Sequence, residues 1–487
     1  QLDGKRSMVI STAEALTKLT VPRLMYDDEE DPNLVDSTQD YQSVGAYCLN
    51  HMSNRTVQTM FPVGRGFFKL DPTSEVKKLA ESLGVDETGT AGALTKHERS
   101  AVKALDASGQ RPKITRAVSL ALATGNSLIV DAGDSLIVHN LRKFVVRRMK
   151  RSGKIRDLVI REVELYQDLS DEVKLHIHHK TNDTAVELFT WVHWDGKQYV
   201  EDQWVGDVKL PTPFSRTFKA DELPYLVLNW NLADGKNYGT GLVEDYWRDF
   251  SALSALGQAG TDGAVGCAQN RVLVDPGSTL KVEDFNRTVN NEAVAGTPDN
   301  VANLTLGNPQ GVQITLSQFE NIERRVKAAF MVTSAVQRNA ERVTAYELRL
   351  MANELDTQHG GTYSAMATTL QPFIAKWCLR QAKVDTELFS DVRIVTGADA
   401  LGRAGDVDNV RLAFEDLASA STLPEEVRTR LDWDKLIKFI GDGRQTPLSD
   451  FILTQAQQQS NTAAGIEANA ANTFATTAAE QAAMPNV

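Results

Sequence analysis

The sequence predicts an α+β chain built from several lobes, on three observations. Its 487 residues exceed what one compact core organises. The turn dipeptides Ser152-Gly153 and Asp195-Gly196 sit between apolar runs, which marks antiparallel hairpins rather than alternating βαβ units. After Leu228 the apolar residues step by three and four, the period of long helices. A composition that is 42% hydrophobic and 24% charged excludes a globally disordered chain. Cys48, Cys267 and Cys378 are too few and too scattered for a disulfide framework or a zinc ribbon. No stretch approaches eighteen consecutive apolar residues, so no membrane span is expected. The start, Gln1-Leu-Asp-Gly-Lys-Arg, has neither Met nor an apolar signal core, which predicts a sequence beginning inside a longer natural chain. A net charge of −12 argues against a DNA wrapper held by phosphate neutralisation, though not against a protein that must avoid gripping DNA.

Taken in order, residues 10–70 read as helices separated by an acidic loop, Asp27-Asp28-Glu29-Glu30-Asp31-Pro32, where adjacent carboxylates repel and Pro32 blocks a helix start. That loop is a solvated turn or a cation site. A stronger helix carries Val44, Cys48, Met52, Val57 and Phe61 and is closed by Pro62. Residues 72–116 are polar and helical by propensity, and a short apolar helix over Ala117–Thr124 stops at Gly125-Asn126. Ser127-Leu128-Ile129-Val130 reads as a strand. Phe144-Val145-Val146 and Leu158-Val159-Ile160 should pair around Ser152-Gly153, and Val192 and Tyr199 flank a second hairpin turn.

Val243, Tyr246, Phe250, Leu253 and Leu256 form one helical face that predicts a helix reaching Asn270, about 40 Å long. Within it, Gly257, Gly260, Gly263 and Gly266 alternate with Ala255, Ala259, Ala264 and Ala268. Each glycine costs roughly 1 kcal/mol relative to alanine inside a helix, so a closely packed neighbouring helix is expected to offset it. Residues 271–313 are rich in Pro, Gly and Asn. They contain β-prone pieces, Arg271-Val272-Leu273-Val274 and Gln313-Ile314-Thr315-Leu316, and predict a small β module. A second helix follows with Phe319, Ile322, Val326 and Phe330 on one face. Two helices thus bracket a β tip, as a stalk would. Residues 332–343 interrupt, and Thr344 with Glu347 forms a capping box for a long helix that Gly360-Gly361 and Pro372 should bend. Shorter helices fill 398–455, and the last thirty or so residues are a low-complexity Ala, Gln, Asn and Thr tail.

Chemistry is sparse. The glycines at 257–266 lack the Gly-Lys-Ser/Thr ending and the preceding strand of a phosphate loop. On a strand, His176 and His178 would share one face and His179 the other; two imidazoles bind zinc if His193 or a carboxylate completes the set, and otherwise decorate a polar strand face. No pair of carboxylates has the spacing of a general acid and base. The densest charge is the basic run Arg142, Lys143, Arg147, Arg148, Lys150, Arg151, Lys154 and Arg156 on the first hairpin. It is a nucleic-acid contact, an exposed hairpin, or a dock for an acidic neighbouring subunit.

The segment Ala329-Phe-Met-Val-Thr-Ser-Ala-Val-Gln-Arg-Asn-Ala-Glu-Arg-Val-Thr-Ala-Tyr-Glu-Leu-Arg resembles the hallmark stretch of the portal proteins, or head-to-tail connectors, of short-tailed bacteriophages. Tyr41-Gln-Ser-Val-Gly-Ala, Leu122-Ala-Thr-Gly-Asn, Leu223-Pro-Tyr, Asp234-Gly-Lys-Asn-Tyr-Gly, Gly360-Gly-Thr-Tyr-Ser and Ala400-Leu-Gly-Arg agree in order, so the resemblance spans roughly residues 40–455. The basic hairpin is denser than the family pattern leads one to expect.

The resemblance implies a portal fold. An N-terminal arm and α+β wing occupy 1–239, a stem helix 240–270, a clip 271–313, a second stem helix 314–331 and a channel loop 332–345. A long kinked wing helix follows over 346–385, then a helical crown over 386–455 and a tail over 456–487. It further implies a homo-oligomeric ring of twelve subunits at one capsid vertex, without catalysis, cofactor or membrane. Double-stranded DNA passes through, and the partners are the terminase large subunit, the major capsid and scaffolding proteins, tail adaptor and nozzle proteins, and internal core proteins. The protein then belongs in the virion, and in the host cytoplasm during assembly. Gln337, Arg338, Asn339, Glu341 and Arg342 would face the channel, unless Arg338 and Glu341 pair across subunits, and Gly257, Gly260, Gly263 and Gly266 would pack subunits together. Rival readings are a tail adaptor or other virion ring protein without a packaging role, and a metal-dependent hydrolase using His176, His178 and His193.

Overall fold

The computed structural model describes most of residues 4–396; residues 1–3, 5, 27–40, 65, 73–86, 178–180, 278–280, 288, 290–296, 306, 333–344, 384–391 and 397–487 lie outside the described set. The chain divides into two compact units, Gln1–Ala400 and Leu401–Val487, and every described residue belongs to the first.

Helices α1 (Ser7–Lys18) and α2 (Val44–Met60) precede strand β1 (Phe68–Pro72), and α3 (Glu87–Ala107) and α4 (Arg111–Thr124) follow it. Helix α4 is the centre of the unit. No charge follows Arg116 within it, its small apolar residues pack on all sides, and every residue from Ala117 to Thr124 is buried. It ends at Gly125, whose φ of +79° is a left-handed turn and whose Cβ, if present, would sit 2.3 Å from the Gly239 carbonyl oxygen. Glycine is required there twice over.

Strands β2 (Asn126–Asp131), β3 (Leu136–His139), β4 (Phe144–Arg148) and β5 (Ile155–Leu165) come next. Then follow α5 (Asp171–Lys174), β6 (Ala185–Trp194), β7 (Tyr199–Val205), β8 (Val208–Lys209), β9 (Arg216–Phe218) and β10 (Tyr225–Asn229). They make a three-stranded sheet in the order β10-β2-β3 and a six-stranded sheet in the order β4-β5-β6-β7-β8 with β9 on β7. Both predicted hairpins form, with Phe144 opposite Ile160 and Trp194 opposite Tyr199. The alternating apolar residues Phe144, Val146, Leu158, Ile160 and Val192 share a second core with Ala13 of α1. The pairing is antiparallel throughout, which makes the fold α+β.

A short helix α6 (Leu242–Asp245) and a break at Tyr246 lead into α7 (Trp247–Ala268). Strand β11 (Asn270–Val274), helix α8 (Val282–Arg287) and strand β12 (Val301–Thr305) form the tip, with β11 and β12 antiparallel. Helix α9 (Pro309–Ala329) returns, and α10 (Ala345–Gln358), α11 (Thr362–Gln381) and β13 (Val392–Thr396) complete the unit.

Four expectations need correction. Gln313–Leu316 is helical, because Asn308 caps α9 by accepting from the Gln310 amide at 3.1 Å and Pro309 supplies the first helical position. His176 lies in a turn after α5, whose start Ser170 caps, and not on a strand. Gly360 and Gly361, at φ +59° and +83°, divide the expected bent helix into α10 and α11, while Pro372 stays inside α11. Val392–Thr396, within the stretch expected as a helical crown, is a β-branched strand paired with β1. The acidic loop at 27–31, the Thr344 cap and the tail lie outside the described residues.

Candidate functional site

The predicted stalk is present as a pair of helices, and its glycines face the same chain. A Cβ on Gly263 would lie 2.8 Å from Val312 Cγ2 of α9, and one on Gly257 would lie 2.5 Å from the Tyr41 carbonyl oxygen and 3.6 Å from the Phe319 ring. Gly260 has more room, with Thr315 Cγ2 at 3.7 Å and Leu316 Cδ2 at 3.8 Å, and Gly266 faces Gly307 Cα at 3.7 Å. The close approach that offsets the glycine cost is therefore α7 against α9 at Gly260 and Gly263, and against the Tyr41 and Gly307 backbone at Gly257 and Gly266. Arg325 of α9 pairs with Asp249 of α7, and Phe330 meets Tyr246 and Phe250 edge-on at 5.8 and 5.6 Å. Away from this seam, the pair and its β tip leave apolar side chains in solvent: Ile314 is 65% exposed, and Val265, Leu273, Val272 and Leu304 are exposed as well. Such a concentration on one projection marks an interaction surface.

The basic hairpin splits into two sets. Arg147 donates from Nε to Asp157 Oδ2 at 2.6 Å. Arg148 is committed to the fold: it donates from Nη2 to Asn229 Oδ1 at 2.6 Å and from Nη1 to the Gly153 carbonyl at 3.1 Å, and its amide donates to Asn237 Oδ1 at 2.8 Å. Burial holds its pKa below the usual guanidinium range. Arg142 pairs with Glu14 at 2.9 Å, and Lys143 lies 4.4 Å over the Tyr26 ring. Lys150, Arg151, Lys154 and Arg156 instead form an exposed tip with no ion-pair partner among the described residues. Of the basic residues singled out, Lys150, Arg151, Lys154 and Arg156 are the ones exposed to a partner in the way the sequence suggested.

The histidines do not gather. His176 meets the Phe214 ring edge-on at 5.9 Å, His193 stacks on Trp191 at 4.1 Å, and His178 lies outside the described residues. Among the described residues no three His, Cys, Asp or Glu side chains are placed to hold a metal ion. Buried Cys48 and Cys378 have thiols pushed up to about 12, chiefly by desolvation, so both stay protonated and unreactive. Gln337, Arg338, Asn339, Glu341 and Arg342 lie outside the described residues.

The short glycine motifs prove to be joints. Asn126 Nδ2 donates to the Gly239 carbonyl at 2.9 Å while the Gly239 amide donates to Asn126 Oδ1 at 2.8 Å, and Tyr238 Oη accepts from the Val146 amide at 3.2 Å. The Leu122–Asn126 and Asp234–Gly239 segments thus weld α4, the first hairpin and the start of the helix pair. Likewise Gln42 Nε2 donates to the Leu19 carbonyl at 2.7 Å and Gln42 Oε1 accepts from the Gly45 amide at 2.8 Å. These segments tie the helix pair to the body.

A family model described as the bacteriophage head to tail connecting protein matches residues 1–452. The chain belongs to that family. This connector is 28% identical over 445 residues to the portal protein of Enterobacteria phage SP6, covering 90% of this chain and 85% of the relative. It is 28% identical over 473 residues to that of Pseudomonas phage phiKMV, covering 93% and 91%. It is 24% identical over 480 residues to that of Escherichia phage T7, covering 94% and 88%. A solved structure described as the virion of a native gene transfer agent particle is a distant likeness, at 12% identity and a TM-score of 0.33, covering 76% of this chain and 96% of that one. The resemblance carried by residues 329–349 is borne out.

Proposed function

We infer that this connector is a portal protein of the capsid vertex: copies of the chain close into a ring whose bore passes double-stranded DNA inward at packaging and outward at ejection. The observation that carries the reading is the projecting helix pair with apolar residues in solvent, on a chain that matches the connector family along nearly its whole length. A heterologous ring needs two unlike faces on each copy, and exposed Val265 and Ile314 beside the seam offer apolar area to a neighbour. Twelve copies is the number we propose, with the β11–β12 tip as the seat of the terminase and later of the tail adaptor and nozzle. The body between α1 and β10 would meet capsid, scaffolding and internal core proteins. The protein would be structural and not catalytic, made in the host cytoplasm and retained in the virion.

A duplex carries one negative charge per about 1.7 Å of axis. A chain of net charge −12, repeated around a bore, repels such a polyanion and leaves it no deep electrostatic well. Gln337, Arg338, Asn339, Glu341 and Arg342 would then touch the passing backbone without reading bases. The exposed basic tip that carries Lys150 and Arg151 would meet DNA inside the capsid or an acidic neighbouring subunit. Electron micrographs of the purified protein are expected to show rings with a central hole in end-on class averages; monomers or irregular aggregates at assembly concentrations would overturn the reading.

A further inference from the structure

Helix α9 ends in a conformation its residue does not favour. Met331 has φ +55°, its amide donates to the Ala328 carbonyl at 3.0 Å, and the Val332 amide donates to the Lys327 carbonyl at 2.8 Å. These are the two bonds of a helix termination at which glycine usually stands. Methionine stands here because its side chain, 2% exposed, fills the main core beside Phe330. The strained turn is held from outside by side chains of α2 and α10. Arg55 of α2 donates from Nη1 to the Met331 carbonyl at 3.2 Å, and its Nη2 reaches Glu354 Oε2 of α10 at 2.5 Å. Gln358 of α10 adds a second link, donating from Nε2 to the Ala328 carbonyl at 3.2 Å. The end of α9 is thus joined to the C-terminal half of α10 by the Arg55 guanidinium and, beside it, by the Gln358 amide. A planar, forked cation serves a carbonyl and a carboxylate at once in a fixed geometry that a flexible ammonium does not impose, and a cation also suits the negative end of a helix.

We propose that Arg55 is a positioning residue of the portal: it fixes the end of α9 and the C-terminal half of α10 at one depth and direction relative to α2, so every copy in the ring ends its stem alike. This rests on the portal reading. The test compares wild type, Arg55→Ala, Arg55→Lys and Glu354→Gln as assembled rings, reading hydrogen exchange at the Met331 and Val332 amides and DNA retention in filled capsids. In Arg55→Ala, rings should still form, exchange at both amides should rise about tenfold, the worth of a charged hydrogen bond, and retention should fall. Arg55→Lys should recover only part of the protection, because an ammonium lacks the fork, and Glu354→Gln should give a smaller rise. Should Arg55→Ala fail to fold, the lysine and glutamine variants carry the comparison. Unchanged exchange, full rescue by lysine, or faster exchange with unchanged retention would each overturn the proposal. Wild-type protein that makes no rings would instead overturn the portal reading, and amide exchange in the monomer would still judge the clasp.

Discussion

Helices α4 and α7 are both built from small residues, yet the fold treats them oppositely. In α4 the run Ala-Val-Ser-Leu-Ala-Leu-Ala-Thr is buried on all sides by its own chain. In α7 only Phe250, Leu253 and Gly260 are buried, and past Leu253 it packs on α9, with Tyr41 and Gly307 touching it at single glycines. Small residues in α4 let several elements of one subunit crowd a single axis. In α7 they serve a single seam, and the flanks of the pair keep Val265 and Ile314 in solvent. The described residues of this chain therefore complete the packing of one helix and not of the other, which is where the portal reading would seat a neighbouring copy.

The largest test sets stability against assembly. Leu120→Ala in α4 empties a site with no exposure and should cost about 2–5 kcal/mol, lowering the melting temperature of the monomer by several degrees or more. Ile314→Ser should change monomer stability by less than about 0.5 kcal/mol, as surface substitutions do, while sharply reducing rings counted by native mass spectrometry. Equal melting losses in the two variants, or intact rings in Ile314→Ser, would erase the contrast.

The glycine seam gives the next scale. Gly257→Ala meets a backbone oxygen that has no rotamer to yield, so we expect a loss of about 1–3 kcal/mol by overpacking. Gly263→Ala meets the end of Val312, which has some freedom, and should cost less. Gly260→Ala finds ordinary contact distances and should stabilise the chain by up to about 1 kcal/mol through helix propensity. Chemical denaturation of the three variants checks the order; a reversed order would mean that the contacts of Gly257 with Tyr41 and of Gly263 with Val312 do not set the seam. A further effect concerns DNA rather than folding. Replacing Arg338 and Arg342 with Gln should shift DNA retention in filled particles and leave the ring count unchanged, and rings that fail to assemble would assign those residues to an interface.

The hairpins were legible because Ser152-Gly153 and Asp195-Gly196 state a turn within a few residues of the strands it joins. The stalk was legible as two helical periods, and its glycine face was legible as a demand for a close neighbour. Which neighbour was not: spacing reports a narrow surface, and α9 of the same chain meets it only after 271–308 has doubled back. Ile314 and Thr315 looked like strand because β-branched residues suit a pleat, and the helix start at Asn308-Pro309 decides otherwise. Arg55 carried no local signal. Its partners, Met331 and Glu354, are 276 and 299 residues away, and only the folded chain brings a carbonyl and a carboxylate to one fork.

The smallest expected effect probes the base of the stalk, where the two packing regimes meet. His51 of α2 and His359 after α10 both have pKa values lowered from 6.5, each chiefly by burial, with the Arg55 charge adding to the shift at His51. The Met331 carbonyl draws the His51 value partly back up, and the Trp230 ring lies 5.5 Å from His359. Both are neutral in the fold, and the unfolded chain takes up protons first as pH falls. Stability should therefore be at its full value above about pH 6.5 and decline below it, until the folded groups titrate as well. Because both rings are only partly enclosed, the slope should be shallow. Urea titrations at pH 7.5 and 5.5 measure it, and His51→Gln should flatten the difference without moving the glycine order at α7. An unchanged pH dependence in that variant would assign the slope elsewhere in the core and leave His51 a packing residue of the root.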